Sequence, residues 1–152
     1  MDHKQPFNKR VSDTTSEDKF EKYCKDKNIL FYKYGIDNHP FGKNLAKIKR
    51  EIRNTPDYII QTNSNAATYF VEVKGCKAEV GLKILDLKSY DFWNKLIKVY
   101  YYIYSVTFNE TKLVSHPTLK KLVKGCKIKQ YHDFTAYDDK KYYEIPFKEL
   151  KR

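Results

Sequence analysis

Apolar positions in this chain recur either at three- to four-residue spacing or in short unbroken runs, and each pattern predicts its own kind of element. Residues 14–27 (TTSEDKFEKYCKDK) carry Phe20, Tyr23 and Cys24 on one stripe and predict a helix; Thr14 with Glu17 three positions later matches a capping box. Residues 28–35 (NILFYKYG) predict a strand, followed by the turn-forming IDNHPFG. Residues 43–53 set Leu45, Ile48 and Ile52 at helical spacing against a strongly basic side, which fits either a short amphipathic helix or a basic loop. DYIIQT (57–62) and TYFVEVKG (68–75) read as two strands joined by the turn NSNAA, and so short a connection makes them an antiparallel hairpin.

Residues 76–84 (CKAEVGLKI) read as a connection or a short extension. Residues 85–100 predict a helix with Leu87, Tyr90, Trp93, Leu96 and Ile97 on its apolar face. YYIYSVTF (101–108) is apolar almost throughout and predicts a strand buried on both faces. TLKKLVKG (118–125) fits a short helix ended by Gly125, and KKYYEIPF (140–147) a last strand whose Pro146 suggests a sheet edge. Residues 1–13 are polar, lack periodicity and are expected to form a flexible arm. The order α-β-(α)-β-β-α-β-(α)-β, without repeats or linkers, predicts one α/β domain over residues 1–152 with a mixed sheet flanked by helices.

Charge narrows the partners. Thirty Lys and Arg against 19 Asp and Glu give a formal net charge of +11, which draws polyanions through counterion release. Nucleic acid is the first partner this suggests and an anionic membrane surface the second; Lys-rich, AT-like coding accounts for part of the excess. No stretch is long and apolar enough to span a membrane, and the charged start MDHKQPFNKR lacks a signal-peptide core, so a soluble intracellular protein is expected. Cys24, Cys76 and Cys126 form no C-x-x-C pair, and His3, His39, His116 and His132 show no ligand spacing with them. All seven read as structural or surface residues in a reducing compartment.

Candidate chemistry lies in the hairpin. Side chains alternate across a strand, so Glu72 and Lys74 share a face opposite Val71 and Val73, and Asp57 opens the partner strand. Two neighbouring carboxylates repel unless a cation lies between them, and a hard divalent ion such as Mg²⁺ suits oxygen donors. Lys74 cannot ligate a metal while protonated but can hold a phosphate oxygen or a water. Taken singly, Glu72 and Lys74 also fit a solvated strand edge, Asp57 a turn, and Glu17 a helix cap. Trp93, the YYIY run at 101–104 and the aromatics Tyr131, Phe134 and Tyr137 read as packing groups before nucleic-acid contacts.

Pro56-Asp57 followed by Glu72-Val73-Lys74 resembles the PD-(D/E)xK signature of the restriction-endonuclease-like nuclease superfamily. The resemblance spans residues 14 to 108 and implies an α-β-β-β-α-β core. It further implies a metal-dependent endonuclease acting on DNA, with Mg²⁺ as cofactor and Mn²⁺ able to substitute, and no small-molecule cofactor. Asp57 and Glu72 would be metal ligands, with the Val73 carbonyl a third. Lys74 would orient or activate the attacking water and stabilise charge on the phosphate. A helical acid is also implied; Glu17 is preferred over Glu21, one turn later. Lys83 and Lys88 would contact the DNA backbone. A homodimer and a branched or otherwise structured DNA substrate complete these expectations; the AT-like composition and small size suit an origin in a virus or mobile element. The alternative is a non-catalytic, basic nucleic-acid-binding module that keeps the nuclease-like fold.

Overall fold

The computed structural model describes residues 13–35, 47–130 and 141–151. Helix α1 (Asp13–Asp26) is the first amphipathic segment, one residue earlier than predicted. It ends where Asn28 turns into the left-handed region at φ 54°, which lets the Ile29 N–H reach back to the Cys24 carbonyl at 2.8 Å. Strand β1 (Leu30–Lys33) follows. Of the ambiguous segment 43–53, residues 43–46 lie outside the described residues, and the rest closes as a single helical turn, α2 (Arg50–Arg53). Then come β2 (Tyr58–Gln61), β3 (Thr68–Cys76), β4 (Glu79–Lys83), α3 (Ile84–Leu96) and β5 (Val99–Ser105). The chain continues with β6 (Glu110–Ser115), α4 (His116–Val123), β7 (Ile128–Gln130), β8 (Lys141–Pro146) and a 3₁₀ turn at Phe147–Glu149.

Five strands form the main sheet in the order β1-β2-β3-β5-β6; β3 and β5 run parallel and every other pair is antiparallel. The expected hairpin is present, with Tyr58 opposite Val71 and Gln61 opposite Thr68. The main sheet is therefore mixed, with helices on both faces. On one face Phe20 and Cys24 of α1 pack on Tyr58, Val71, Val73 and Tyr102. A helix of this length is marginal alone, so burial of such groups, about 2 kcal/mol for a large apolar side chain, sets its place. On the other face Phe70, Tyr101 and Ile103 meet Leu87, Tyr90 and Trp93 of α3 and Leu119 and Val123 of α4. Trp93 and Tyr101–Tyr104 are buried, as packing groups should be. Among the described residues all three cysteines are free, and no helix is long and apolar enough to cross a membrane.

A second sheet, β4-β8-β7, closes the far side of this core through Val80, Leu82 and Ile145. It departs from the sequence reading. The stretch read as a connection holds β4, and β6 and β7 arise where no element was predicted. The helix predicted over 85–100 stops at Leu96, which is exposed, because Val99 and Tyr100 pair with Phe70 and Val71. The last strand is central rather than an edge, yet β7 faces only its residues 141–143, so Pro146 blocks no bond on that side. The residue 1–12 part of the expected arm, the turn at 36–42, His3, His39, His132, Tyr131, Phe134 and Tyr137, and the Thr14 side chain all lie outside the described residues.

Candidate active site

The site forms where β2 parts from β3. Their ladder ends at Tyr58 opposite Val71, and the next inward-facing N–H on β3, that of Val73, is taken by the Asp57 carboxylate at 2.8 Å. Asp57 is fixed from behind as well: its backbone carbonyl accepts from Tyr34 N–H at 2.7 Å and from Gly35 N–H at 3.1 Å. In extended backbone the N–H and C=O of one residue point the same way, so the Val73 carbonyl faces the side of the sheet that Asp57 occupies. The break in the ladder thus presents a carboxylate and a backbone oxygen together.

Glu72 and Lys74 project from β3 towards α3, as alternation predicts. The Lys74 ammonium lies 2.8 Å from Oε1 of Glu72, and the Tyr90 hydroxyl donates to Oε2 at 2.6 Å. The Glu72 side chain is only 8% exposed and that of Lys74 25%. Burial of this kind leaves the carboxylate dependent on its partners. Tyr90 comes from neither arm of the hairpin but from α3, four residues beyond Asp86 and on the same side of the helix.

Electrostatics tie the groups into one cluster. Burial, then the charge of Glu72, push the Asp57 carboxyl well above the usual carboxylate range; Glu17 adds to the push, while Lys74 and the Val73 N–H oppose it. Burial alone would lower the Lys74 pKa, but Glu72, then Asp86, then Asp57 outweigh it and drive the ammonium above its ordinary value. Burial and the same carboxylates, Glu72 foremost, raise the Tyr90 hydroxyl, so it stays a proton donor. Asp57, Glu72 and Asp86 surround a single Lys74, an excess of negative charge that a hard divalent cation would balance. A carboxylate has about four lone-pair sites, so Glu72 can hold Lys74 and Tyr90 and still accept a cation. Among the described residues no three His, Cys, Asp or Glu side chains stand close enough to hold a metal by themselves. The oxygen donors that this break offers are two carboxylates and the Val73 carbonyl.

The remaining predicted residues lie farther out. Glu17 pairs with Lys33 of β1 at 2.8 Å and touches the site through its field on Asp57. Glu21 instead accepts from the buried Tyr58 hydroxyl at 2.7 Å. Lys83 ends β4 and Lys88 lies in α3, both exposed. Tyr90 and Asp86 are the residues that sequence reasoning missed. In the sequence Tyr90 is one of an apolar stripe; the available signal is a polar tip and an acid four residues apart on the helix that follows the E-V-K strand.

No protein-family model matches the chain, and no curated protein matches it. Solved structures do. The chain is similar to Hjc, a Holliday junction resolvase from the archaeal hyperthermophile Archaeoglobus fulgidus, at TM-score 0.54 and 8% identity, covering 91% of this chain and 86% of that one. It is also similar to a nuclease from a fusselovirus, at TM-score 0.51 and 14% identity, covering 93% of this chain and 88% of that one. At these identities the likeness is one of fold. The chain has the restriction-endonuclease-like, PD-(D/E)xK fold that its hairpin motif led one to expect.

Proposed function

We propose that the protein is a metal-dependent DNA endonuclease that hydrolyses phosphodiester bonds in branched or otherwise structured DNA. The observation that carries this reading is the gathering of Asp57, Glu72 and Lys74 at the break between β2 and β3. The fold neighbours support it, one being a Holliday junction resolvase and the other a viral nuclease. The net charge of +11 supplies affinity for the phosphate backbone without sequence readout. Exposed Lys83 and Lys88 are proposed contacts to that backbone. A homodimer, which would present two such sites to two strands, and an intracellular setting with a viral or mobile-element origin belong to the same reading.

Mg²⁺, or Mn²⁺ in its place, would be held by Asp57, Glu72 and the Val73 carbonyl, and would supply Lewis-acid polarisation and a lowered water pKa. Everything else falls to the chain's own groups. Lys74 remains an ammonium under the charge of Glu72 and Asp86, so it binds a phosphoryl oxygen or orients a water rather than taking a proton. Tyr90 fixes the rotamer of Glu72. Asp57 is fixed by Val73, Tyr34 and Gly35. Glu17, through its charge on Asp57, is the proposed helical acid.

A second reading draws on the same geometry. Both oxygens of Glu72 are engaged by the protein and Glu17 turns to Lys33, an arrangement that also suits a non-catalytic nucleic-acid-binding module. Incubation of duplex, flap, four-way-junction and single-stranded DNA, with RNA alongside, in Mg²⁺ or Mn²⁺ against EDTA separates the two. Metal-dependent cutting that is lost in Asp57→Asn and Lys74→Ala, with binding retained, upholds the nuclease. Salt-sensitive binding with every substrate intact upholds the module. Cutting that survives Asp57→Asn removes this site assignment.

A further inference from the structure

The small sheet has one face in the core and one in solvent. Val80 and Leu82 of β4 and Ile145 of β8 point inward, with Tyr143 packed beside them. Alternation therefore sends Lys83, Tyr142 and Lys129 outward. Their register aligns them: Lys83 of β4 lies opposite Tyr142 of β8, and Tyr142 lies opposite Lys129 of β7. Directly opposed residues in antiparallel pairs share a face with their Cβ atoms about 5 Å apart. The result is a cation–aromatic–cation row straight across three strands, with both lysines exposed and the ring half-exposed. Lys129 also feels the Tyr142 hydroxyl, which marks their closeness.

One end of this face is acidic. Glu144 stands two residues on from Tyr142, opposite Gly81, and Glu79 opposes Pro146. Glu144 pairs with Lys129, and its negative charge raises the neighbouring Glu79 carboxyl. A polyanion lying along β8 would meet these carboxylates, whereas one crossing the strands at Tyr142 meets a lysine on either side. A chain of phosphates joined to flat, unpaired bases matches the row: lysines for the backbone and a ring for a base.

We propose that the outer face of the β4-β8-β7 sheet binds an unpaired nucleic-acid strand, with Tyr142 stacking on a base and Lys83 and Lys129 holding the phosphates on either side. This rests on the nucleic-acid substrate proposed above. It gives that substrate a single-stranded part, such as a flap or the splayed arm of a branch, held on a different sheet from the one that carries Asp57, Glu72 and Lys74. Base–aromatic stacking tolerates any sequence and is worth roughly 1–3 kcal/mol per base, so the surface reads strand state rather than sequence.

The test measures anisotropy of a labelled single strand, a blunt duplex and a flapped duplex with the full chain, in EDTA over a range of salt. Cleavage of the flapped duplex in Mg²⁺ is followed separately. Tyr142→Ala is expected to weaken single-strand and flap binding about tenfold, within the range of one lost stack. Blunt-duplex binding should change less than twofold, and Tyr142→Phe should bind as the wild type. Lys83→Ala and Lys129→Ala, both at exposed positions, should each reduce the single-strand salt slope by about 0.7. Single-strand affinity unchanged in Tyr142→Ala, or slopes unchanged in both lysine variants, overturns the surface even when the protein cuts DNA. Loss of binding in Tyr142→Ala by a wild type that cuts nothing upholds the surface and overturns the nuclease instead. A wild type that binds no single strand overturns the surface outright.

Discussion

Tyr90 donates its phenolic hydrogen to Oε2 of Glu72 across 2.6 Å, reaching from α3 onto β3 while Lys74 holds the other oxygen. The carboxylate at the centre of the site is thus aimed by a helix that the motif does not include. Tyr90→Phe keeps the ring beside Tyr101, 5.9 Å between centroids, and removes only the hydroxyl. A hydrogen bond to a charged group is worth about 1.5–3 kcal/mol. The variant is expected to melt several degrees lower, and to cut DNA about tenfold more slowly with a higher Mg²⁺ requirement. A Mg²⁺ titration of cleavage checks this; an unchanged curve removes the positioning role.

Charge at Lys74 and Asp57 sets the expected pH profile. Lys74 lies above its ordinary 10.5, so it stays cationic at any pH below that and contributes no limb between roughly pH 6 and 9. Asp57 is raised, so it ionises later than a free carboxyl and cleavage should fall as the pH drops through its titration. More Mg²⁺ should move that limb to lower pH, because cation and proton compete for one carboxylate. Lys74→Ala should cut at least a hundredfold more slowly throughout, at about 1.4 kcal/mol per factor of ten. A rising limb that vanishes in Lys74→Ala while cutting persists would make Lys74 a base.

Local signals carried the centre of the molecule. The stripe of Phe20 and Cys24 gave α1, and the apolar runs around Asp57 and Glu72 gave the hairpin and its motif. What escaped depends on distant partners. All three residues of β7 are exposed, and only pairing with β8 makes them a strand. Gly81 interrupts β4, which is held by Val80 and Leu82 in the core. Asp86 looks like an ordinary first-turn acid until the fold brings its charge to Lys74.

His116 is 2% exposed and joins three elements. Its Nε2 lies 2.7 Å from Asp91 of α3, and its Nδ1 lies 3.1 Å from the Tyr101 hydroxyl on β5. Lys120 of α4 also binds Asp91, at 2.9 Å. An Asp91 acceptor puts the ring proton on Nε2, so Tyr101 donates to Nδ1. Burial lowers the imidazole below its ordinary 6.5 despite the pull of Asp91. The unfolded chain therefore gains a proton from about pH 6.5 downward while the folded chain does not. Stability falls with pH between 6.5 and the lower folded value, then levels off. Melting curves taken between roughly pH 7.5 and 5 should show this slope in the wild type and a shallower one in His116→Gln. Equal slopes would place the titration elsewhere.

Glu17 and Glu21 stand one turn apart on α1 and should behave differently. Glu17 is paired with Lys33 where Lys33 is largely solvated, and surface pairs contribute at most about 1 kcal/mol. Its charge nevertheless acts on Asp57. Glu21 holds the hydroxyl of Tyr58, which is fully buried under α1. Glu17→Gln should therefore slow cleavage about tenfold or more with little change in melting. Glu21→Leu leaves a buried hydroxyl unpaired, at a cost of about 1–3 kcal/mol, and should lower the melting temperature while sparing the rate per folded molecule. Single-turnover cleavage alongside thermal melts of both variants decides it. The reverse pattern would move the helical acid to Glu21, with Tyr58 as the group that aims it.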